Sequence, residues 1–248
     1  MKKTLGILIL LIIVISLASK EYLDLNFFIE PNFDPIDANM VNFLIKNIEN
    51  DSIIQFNVFA GRTLEKAVPD SVTLDFLNFI KPDLVSPTDF HFHKFNADFN
   101  LLMSNVLCDS VPILDRYIIE TDSMKIGIFS IYTPDWTVVN DLPEYVELDF
   151  NFFDLTKQIA KDLAPQTDFI ILLSNLTKYV DKDLINTLPI DVVVSFDYKK
   201  TNNEKINRGK SFYYSILTKN GKYGKMRLTF SDNRVNHNWQ EVDFRVKQ

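Results

Sequence analysis

Residues 88–93, with the sequence TDFHFH, contain two of the three histidines in the chain. In a β-strand, His91 and His93 would lie on one face, because side chains two residues apart point the same way. Two imidazoles and a carboxylate can hold a catalytic zinc ion, and His237 is the only other imidazole in the chain. Short motifs of this kind also match by chance, so two loop histidines between phenylalanines are the simpler interpretation.

The composition describes a globular and acidic protein. Apolar residues make up 46% of the 248 residues, which is enough for one large α/β domain with a substantial core. The formal net charge of -7 argues against nucleic acid or an anionic membrane surface as the main partner. Cys108 is the only cysteine, so no internal disulfide is expected. The expected partner is a protein or a small-molecule ligand of unknown identity.

The N-terminus has the pattern of a secretory signal. Two lysines precede an apolar run over residues 5–17, and small residues mark a cleavage site after Ala18. Cleavage there would leave residues 19–248 as the mature domain. A bilayer span needs about 20 apolar residues, so residues 4–18 are short for one, and an uncleaved anchor is the alternative. The sequence therefore predicts an exported protein that is periplasmic or extracytoplasmic and meets the membrane only through this segment.

Strand-like and helix-like segments alternate through the mature chain. Several predicted strands are apolar on both sides, which is typical of strands covered by helices. The predicted strands are 23–29, 52–58, 84–86, 117–120, 125–132, 168–174 and 191–195. The predicted helices are 37–48, with Asp37 as the N-cap, 71–80, 152–163 and 181–187.

The pattern changes after Asn207. The following residues alternate between polar and apolar, and Asn220-Gly221 is a hairpin signal. A further alternating strand follows in the sequence NWQEVDFRV. We therefore expect antiparallel strands packed on a βαβ-like first part, in one domain. The basic segment before this region, residues 198–210, is interpreted as a solvated loop.

Several short stretches occur in a fixed order along the chain. They are SIIQFNVFAG, FLNFIKPDLVSPTDFHFH, LLMSNV, KIGIFSIYTPD, TDFIILLSNLT, LPIDVVVSFDYKK and GKYGKMRLTF. Their order and spacing resemble the calcineurin-like metallophosphoesterases, most closely the N-terminal domain of the 5'-nucleotidase branch. In that family the first stretch is a strand ending in a Gly-Asp-x-Phe-x-Gly loop. The second resembles Met-Asn-x-x-x-x-Asp-x-x-x-x-Gly-Asn-His-Glu-Phe-Asp. The resemblance implies a four-layer α/β/β/α sandwich.

The resemblance also implies a site in which two metal ions bind the substrate phosphate on loops at the strand ends. Asn32 and Asp34 correspond to the family's first Asp-x-His motif, and Asn57 corresponds to the aspartate that bridges the metals. Asp89 stands for the asparagine of Gly-Asn-His, and Phe90 stands for the histidine that stabilises the leaving group.

Later stretches supply the remaining implied positions. Asn175 corresponds to the histidine of Ser-His-Leu-Gly, and Asp197 and Lys199 correspond to the final His-x-His. In the same register His91 and His93 fall on the family's Glu and Asp positions, which hold no metal. Glycines of the family's loops are also replaced, by Thr88, Ser195 and Phe196.

These replacements predict the loss of two-metal chemistry. Asn57 carries no negative charge to bridge two cations, Lys199 brings a positive charge to a metal position, and Phe90 has no proton to donate. Hard divalent cations prefer carboxylate oxygens, and at least a few are needed to offset the loss of hydration. A reduced site for one such cation would consist of Asp89, Asp197 and Asp34.

Three hypotheses follow for the function. The leading one is an exported, catalytically inactive metallophosphoesterase-like protein that has a binding or structural role and needs no cofactor. The second is a divergent hydrolase that uses one divalent cation held by Asp89, Asp197 and, as a further ligand, His91. The third keeps only the fold and assigns an unrelated role in the cell envelope, because a fold does not by itself determine a function.

Overall fold

The computed structural model describes residues 22–31, 38–48, 55–61, 70–88, 99–109, 111–133, 144–196, 204–208, 210–231 and 234–244. The four α-helices in these ranges are α1 (Ala38–Ile48), α2 (Asp70–Ile80), α3 (Phe152–Leu163) and α4 (Lys178–Thr187). The strands are β1 (Tyr22–Ile29), β2 (Gln55–Gly61), β3 (Leu84–Pro87), β4 (Asn100–Leu101), β5 (Val106–Cys108), β6 (Arg116–Glu120), β7 (Lys125–Ile131), β8 (Val146–Leu148), β9 (Phe169–Ser174), β10 (Val192–Ser195), β11 (Glu204–Arg208), β12 (Ser211–Ser215), β13 (Lys222–Ser231) and β14 (Arg234–Asp243).

Two six-stranded sheets form the centre of the protein. Sheet A has the order β14-β13-β1-β2-β3-β4, in which β1 to β4 are parallel and β13 runs antiparallel to both of its neighbours. Sheet B has the order β11-β12-β10-β9-β7-β6, with four parallel strands between antiparallel edge strands. Strands β5 and β8 form a separate antiparallel pair.

The alternation of side chains along each strand assigns the layers. In β1, Leu25 and Phe27 belong to the core between the sheets, whereas Phe28 packs in a second core with α1 and α2. In β9, Ile171 faces the central core and Leu172 faces a third core with α3 and α4. Strand β9 and the carboxyl-terminal half of β1 are therefore apolar on both sides, as the sequence indicates. The predicted α/β/β/α sandwich is confirmed.

Helix α3 shows why the outer layers form. Its buried residues are Thr156, Ile159, Ala160 and Leu163, which follow the helical spacing i, i+3, i+4 and i+7. This places one stripe of the helix against sheet B and leaves the other face to water.

The hairpin predicted at Asn220-Gly221 is wrong. Strands β12 and β13, on either side of it, belong to different sheets and do not pair. Gly221 has a φ of 80° and ends a short 3-10 helix, Thr218–Asn220. The hairpin of this region joins β13 to β14, where Ser231 pairs with Arg234. An Asn-Gly pair indicates a left-handed turn, but it does not indicate which strands the turn connects.

One further expectation differs from the structure, and others concern residues that it does not describe. The basic segment 198–210, expected as a loop, contains the edge strand β11. The Asp37 cap and residues 1–18 lie outside the described residues. Within the part of the chain that the structure describes, no helix is both long enough and apolar enough to span a membrane.

Candidate functional site

The parallel strands of both sheets end at one side of the protein, which we call the carboxyl edge. The hydroxyl groups of Ser86, near the end of β3, and Ser130, near the end of β7, lie 2.5 Å apart. At the end of β1, the Ile29 N–H donates to Thr218 Oγ1 over 2.8 Å. Ligands of α/β proteins bind outside the carboxyl ends of parallel strands. The carboxyl edge is therefore the candidate site.

Glu30 brings a buried carboxylate to this edge. It follows β1 directly, is 4% exposed and has a φ of 50°. Its N–H donates to the Ala60 carbonyl over 2.8 Å. A Cβ on Gly61, whose φ is 93°, would collide with the Glu30 carboxylate. Glu30 was not among the site residues predicted from the sequence, although an acidic residue immediately after a long apolar strand was the available signal.

Asn57 lies inside β2 and not in the loop after it. Its Oδ1 accepts from Asn26 Nδ2 over 3.0 Å, and its N–H donates to Asp83 Oδ2 over 2.6 Å. The strand continues for four more residues to Gly61. At about 3.3 Å per residue, Asn57 is therefore about 13 Å from the carboxyl edge. This position disagrees with a role as the bridging ligand on a strand-end loop.

Asn175 does lie at the carboxyl edge, directly after β9. Its Oδ1 accepts from the Thr133 N–H over 2.6 Å, and its Nδ2 donates to the Thr133 carbonyl over 3.1 Å. The amide thus binds both backbone groups of a residue beyond the end of β7. In this arrangement Asn175 ties two strand ends together.

Asn105 binds the backbone of Tyr132, the residue before Thr133, in the same way. Its Oδ1 accepts from the Tyr132 N–H over 2.9 Å, and its Nδ2 donates to the Tyr132 carbonyl over 2.6 Å. The residues that follow β7 are therefore held from two sides by asparagine amides.

The end of β10 is filled by side chains where the resembling family has glycines. Ser195 is 1% exposed, and Phe196 is fully buried in the core between the sheets. The Phe196 N–H donates to the Ser174 carbonyl over 2.8 Å. The buried phenyl ring of Phe196 fills space that a glycine at this position would leave open. A glycine loop like that of the resembling family therefore does not form at the end of β10.

The side of the sheets opposite the carboxyl edge, the amino edge, carries a repeated aspartate contact. The Asp83 carboxylate accepts from the Asn57 N–H, while the Asp83 N–H donates to the Asn57 carbonyl. We call this pair of bonds an aspartate clamp. The same clamp joins Asp168 to Lys125 and Asp191 to Ile170.

His237 lies in β14 between aromatic rings. Its Nε2 is 2.9 Å from the Tyr214 hydroxyl, and the Phe212 ring meets it edge-on at 4.4 Å. Burial, assisted by the charge of Lys205, lowers the pKa of His237 to about 4. A neutral imidazole that binds a tyrosine is a packing element of this core.

The remaining predicted site residues lie outside the described residues. They are Asn32, Asp34, Asp89, Phe90, His91, His93, Asp197 and Lys199. Among the residues that the structure does describe, no group of three or more His, Cys, Asp or Glu side chains could hold a metal ion.

Comparisons with known proteins identify the fold. No protein-family model and no curated protein matches the sequence. A solved structure assigned as a 5'-nucleotidase of Staphylococcus aureus superposes with a TM-score of 0.66 at 12% identity, over 90% of this chain and 54% of that one. A 5'-nucleotidase precursor of Thermus thermophilus gives 0.64 and 13%, over 90% and 54%.

A third structure belongs to a different enzyme with the same fold. The sulfate thiohydrolase SoxB of Thermus thermophilus gives a TM-score of 0.64 at 13% identity, over 83% of this chain and 42% of that one. The chain spans about half the length of these proteins. The predicted metallophosphoesterase-type fold is confirmed, while identities this low establish the fold alone.

Proposed function

We propose that this metallophosphoesterase-type chain is an exported, catalytically inactive protein with a binding or structural role at the carboxyl edge. The observation that carries the proposal is a division among the motif residues. The motif aspartates that join neighbouring strands are present and make their hydrogen bonds to the backbone, as in the clamps of Asp83, Asp168 and Asp191. Those that would hold metal ions are mostly replaced by residues of the wrong charge or polarity.

The observed ends of the strands strengthen this division. The notable length of β2, which extends to Gly61, supports a different register, and in this proposal the family's strand-terminal Gly-Asp pair is assigned to Gly61 and Arg62 instead of to the residues around Asn57. This assignment replaces the bridging carboxylate by a guanidinium, which repels metal cations. The end of β1 at Ile29 supports a matching shift of the Asp-x-His motif from Asn32 and Asp34 to Glu30 and Asn32, and in this proposal an amide stands in place of the imidazole.

The partner in this proposal is a protein or a small molecule bound at the carboxyl edge, and no metal cofactor is required. The test uses protein purified without chelator. Nucleotides and p-nitrophenyl phosphate are offered with manganese, zinc or calcium, and we expect no metal-dependent turnover. Turnover that is lost in Asp89→Ala and retained in Asp122→Ala, a change at an exposed turn, would overturn the proposal.

Glu30 favours one second candidate. A carboxylate that is 4% exposed at the carboxyl edge could join Asp89, Asp197 and His91 in holding one hard cation for a divergent metal-dependent hydrolase. In that case, manganese or calcium would raise the melting temperature of the protein, and Glu30→Gln would abolish the shift. No shift with any divalent cation would exclude this candidate.

A further inference from the structure

The outer face of sheet A changes from apolar to polar between neighbouring rows of side chains. The row nearest the carboxyl edge contains Phe28, Phe59 and Tyr223, which pack in the core with α1 and α2. The next row on the same face lies two residues along each strand towards the amino edge, and its side chains are polar. The next two rows of this face contain Asn26, Asn57, Lys225, Gln240, Asp24, Gln55, Arg227 and Asn238.

An ion triad lies at the centre of these rows. Asp24 is fully buried and accepts from Arg227 Nε and Nη2 over 2.7 Å and 2.8 Å. Lys225 Nζ lies 2.8 Å from Asp24 Oδ2. Burial alone would raise the pKa of Asp24, but the hydrogen bonds from Arg227 and Lys225 outweigh it and hold the pKa below its usual value. The carboxylate is therefore charged at neutral pH.

The two cations face the solvent, while the carboxylate lies beneath them. The side chains of Lys225 and Arg227 are 23% and 42% exposed, and that of Asp24 is 0% exposed. The triad has one net positive charge, and an approaching ion meets its cationic side. The Tyr22 ring, 4.5 Å from the guanidinium, also helps to fix Arg227 in place.

A cavity of about 90 Å³ lies above the triad. It is lined by the two cations on β13 and by the exposed amides of Asn238 and Gln240 on β14. Guanidinium, ammonium and amide groups all donate hydrogen bonds, and arginine matches the geometry of phosphate oxygens. We call these four residues the cationic cradle.

We propose that the cationic cradle binds a small oxyanion of the phosphate or sulfate type. Asp24 acts as a positioning residue, because it holds both cations in place before the anion arrives. A preorganised cluster loses less side-chain entropy on binding than two free side chains would lose. The cradle lies on the outer face near the amino edge, so it is independent of the role proposed for the carboxyl edge.

The test titrates the full chain with millimolar inorganic phosphate at constant ionic strength and follows backbone amide shifts by NMR. We expect saturable shifts at the four residues of the cradle. Asn238→Asp and Gln240→Glu place a carboxylate among the donors at exposed positions and should weaken binding by about tenfold. The matched control is Asn236→Asp on the same face of β14, which adds the same charge outside the cradle and should leave the affinity within about twofold.

Two further arms make the result decisive. Lys225→Gln removes one cation and leaves the Arg227–Asp24 pair intact, so it should weaken phosphate binding without unfolding the protein. A parallel titration with glycerol 3-phosphate shows whether the cradle prefers free phosphate or a phosphate group on a larger ligand. The ligand of the preferred kind should bind more tightly than the other. Linear shifts without saturation, or an equal loss in Asn236→Asp, would overturn the proposal.

Discussion

Asp83 binds both backbone groups of Asn57: its carboxylate accepts from the Asn57 N–H over 2.6 Å, and its own N–H donates to the Asn57 carbonyl over 3.0 Å. The aspartates at the starts of β9 and β10 make the same clamp. Burial raises the pKa of Asp83 and of Asp191, which fits side chains that are enclosed by the strands they join. These aspartates of the family-like motifs therefore serve the fold.

Loss of an aspartate clamp should destabilise the protein. Asp83→Ala leaves the partly buried Asn57 N–H without its acceptor, which should cost about 1–3 kcal/mol. Asp83→Asn keeps an acceptor oxygen and should cost less than half as much. The measurement is urea unfolding, with Asp122→Ala as the control at an exposed position. An Asp83→Ala variant as stable as the control would contradict the clamp's role.

Because Glu30 and Gly61 are in contact, the losses in unfolding free energy caused by substituting each of them should not add up in the double variant. Gly61→Ala places a Cβ against the Glu30 carboxylate and imposes a φ of 93° on a residue that disfavours it. We expect a loss of about 2–4 kcal/mol. In the double variant with Glu30→Ala the collision is gone and only the backbone strain remains, so part of the loss should be recovered. Strictly additive losses would show that the two residues do not interact.

Stability should fall in mild acid because of His237. Its pKa of about 4 in the folded state is below the usual value of 6.5, so the unfolded chain binds a proton more readily between these values. The stabilisation is complete above pH 6.5 and is lost as the pH falls towards 4. The charged group that faces the imidazole is Lys205, and Tyr214 supplies its hydrogen bond.

His237→Gln tests this pH dependence, because glutamine can bind Tyr214 but does not titrate. The wild type should lose about 2 kcal/mol more than the variant between pH 7.5 and pH 4.5. Unfolding free energies at the two pH values provide the measurement. The other titrating groups are common to both proteins, so parallel losses would contradict the assignment.

The layers of the fold could be predicted from the sequence, whereas pairings and strand ends could not. The alternation of Leu25, Phe27 and Phe28 between two cores is a local property of one strand, and so it is readable from the pattern. The pairing of β13 with β1, in which Leu228 lies opposite Leu23, depends on contacts between distant parts of the chain that no local turn signal encodes.

The site residues could not all be predicted either, because their positions depend on where the strands end and on contacts between strands. Motif spacing alone placed Asn57 at a metal position, but the length of β2 decides which residue reaches the carboxyl edge. Glu30 was missed for the same reason, because its importance comes from its contact with Gly61 on a neighbouring strand. The positions at Asp89 and Asp197 stay predictions.

The metal content and the phosphatase activity of the same protein, purified without chelator, decide whether the protein is inactive. Inactivity predicts far less than one equivalent of any divalent metal and no turnover of p-nitrophenyl phosphate above the buffer rate. A stoichiometric metal ion, together with turnover that Asp89→Ala abolishes and Asp122→Ala preserves, would contradict it.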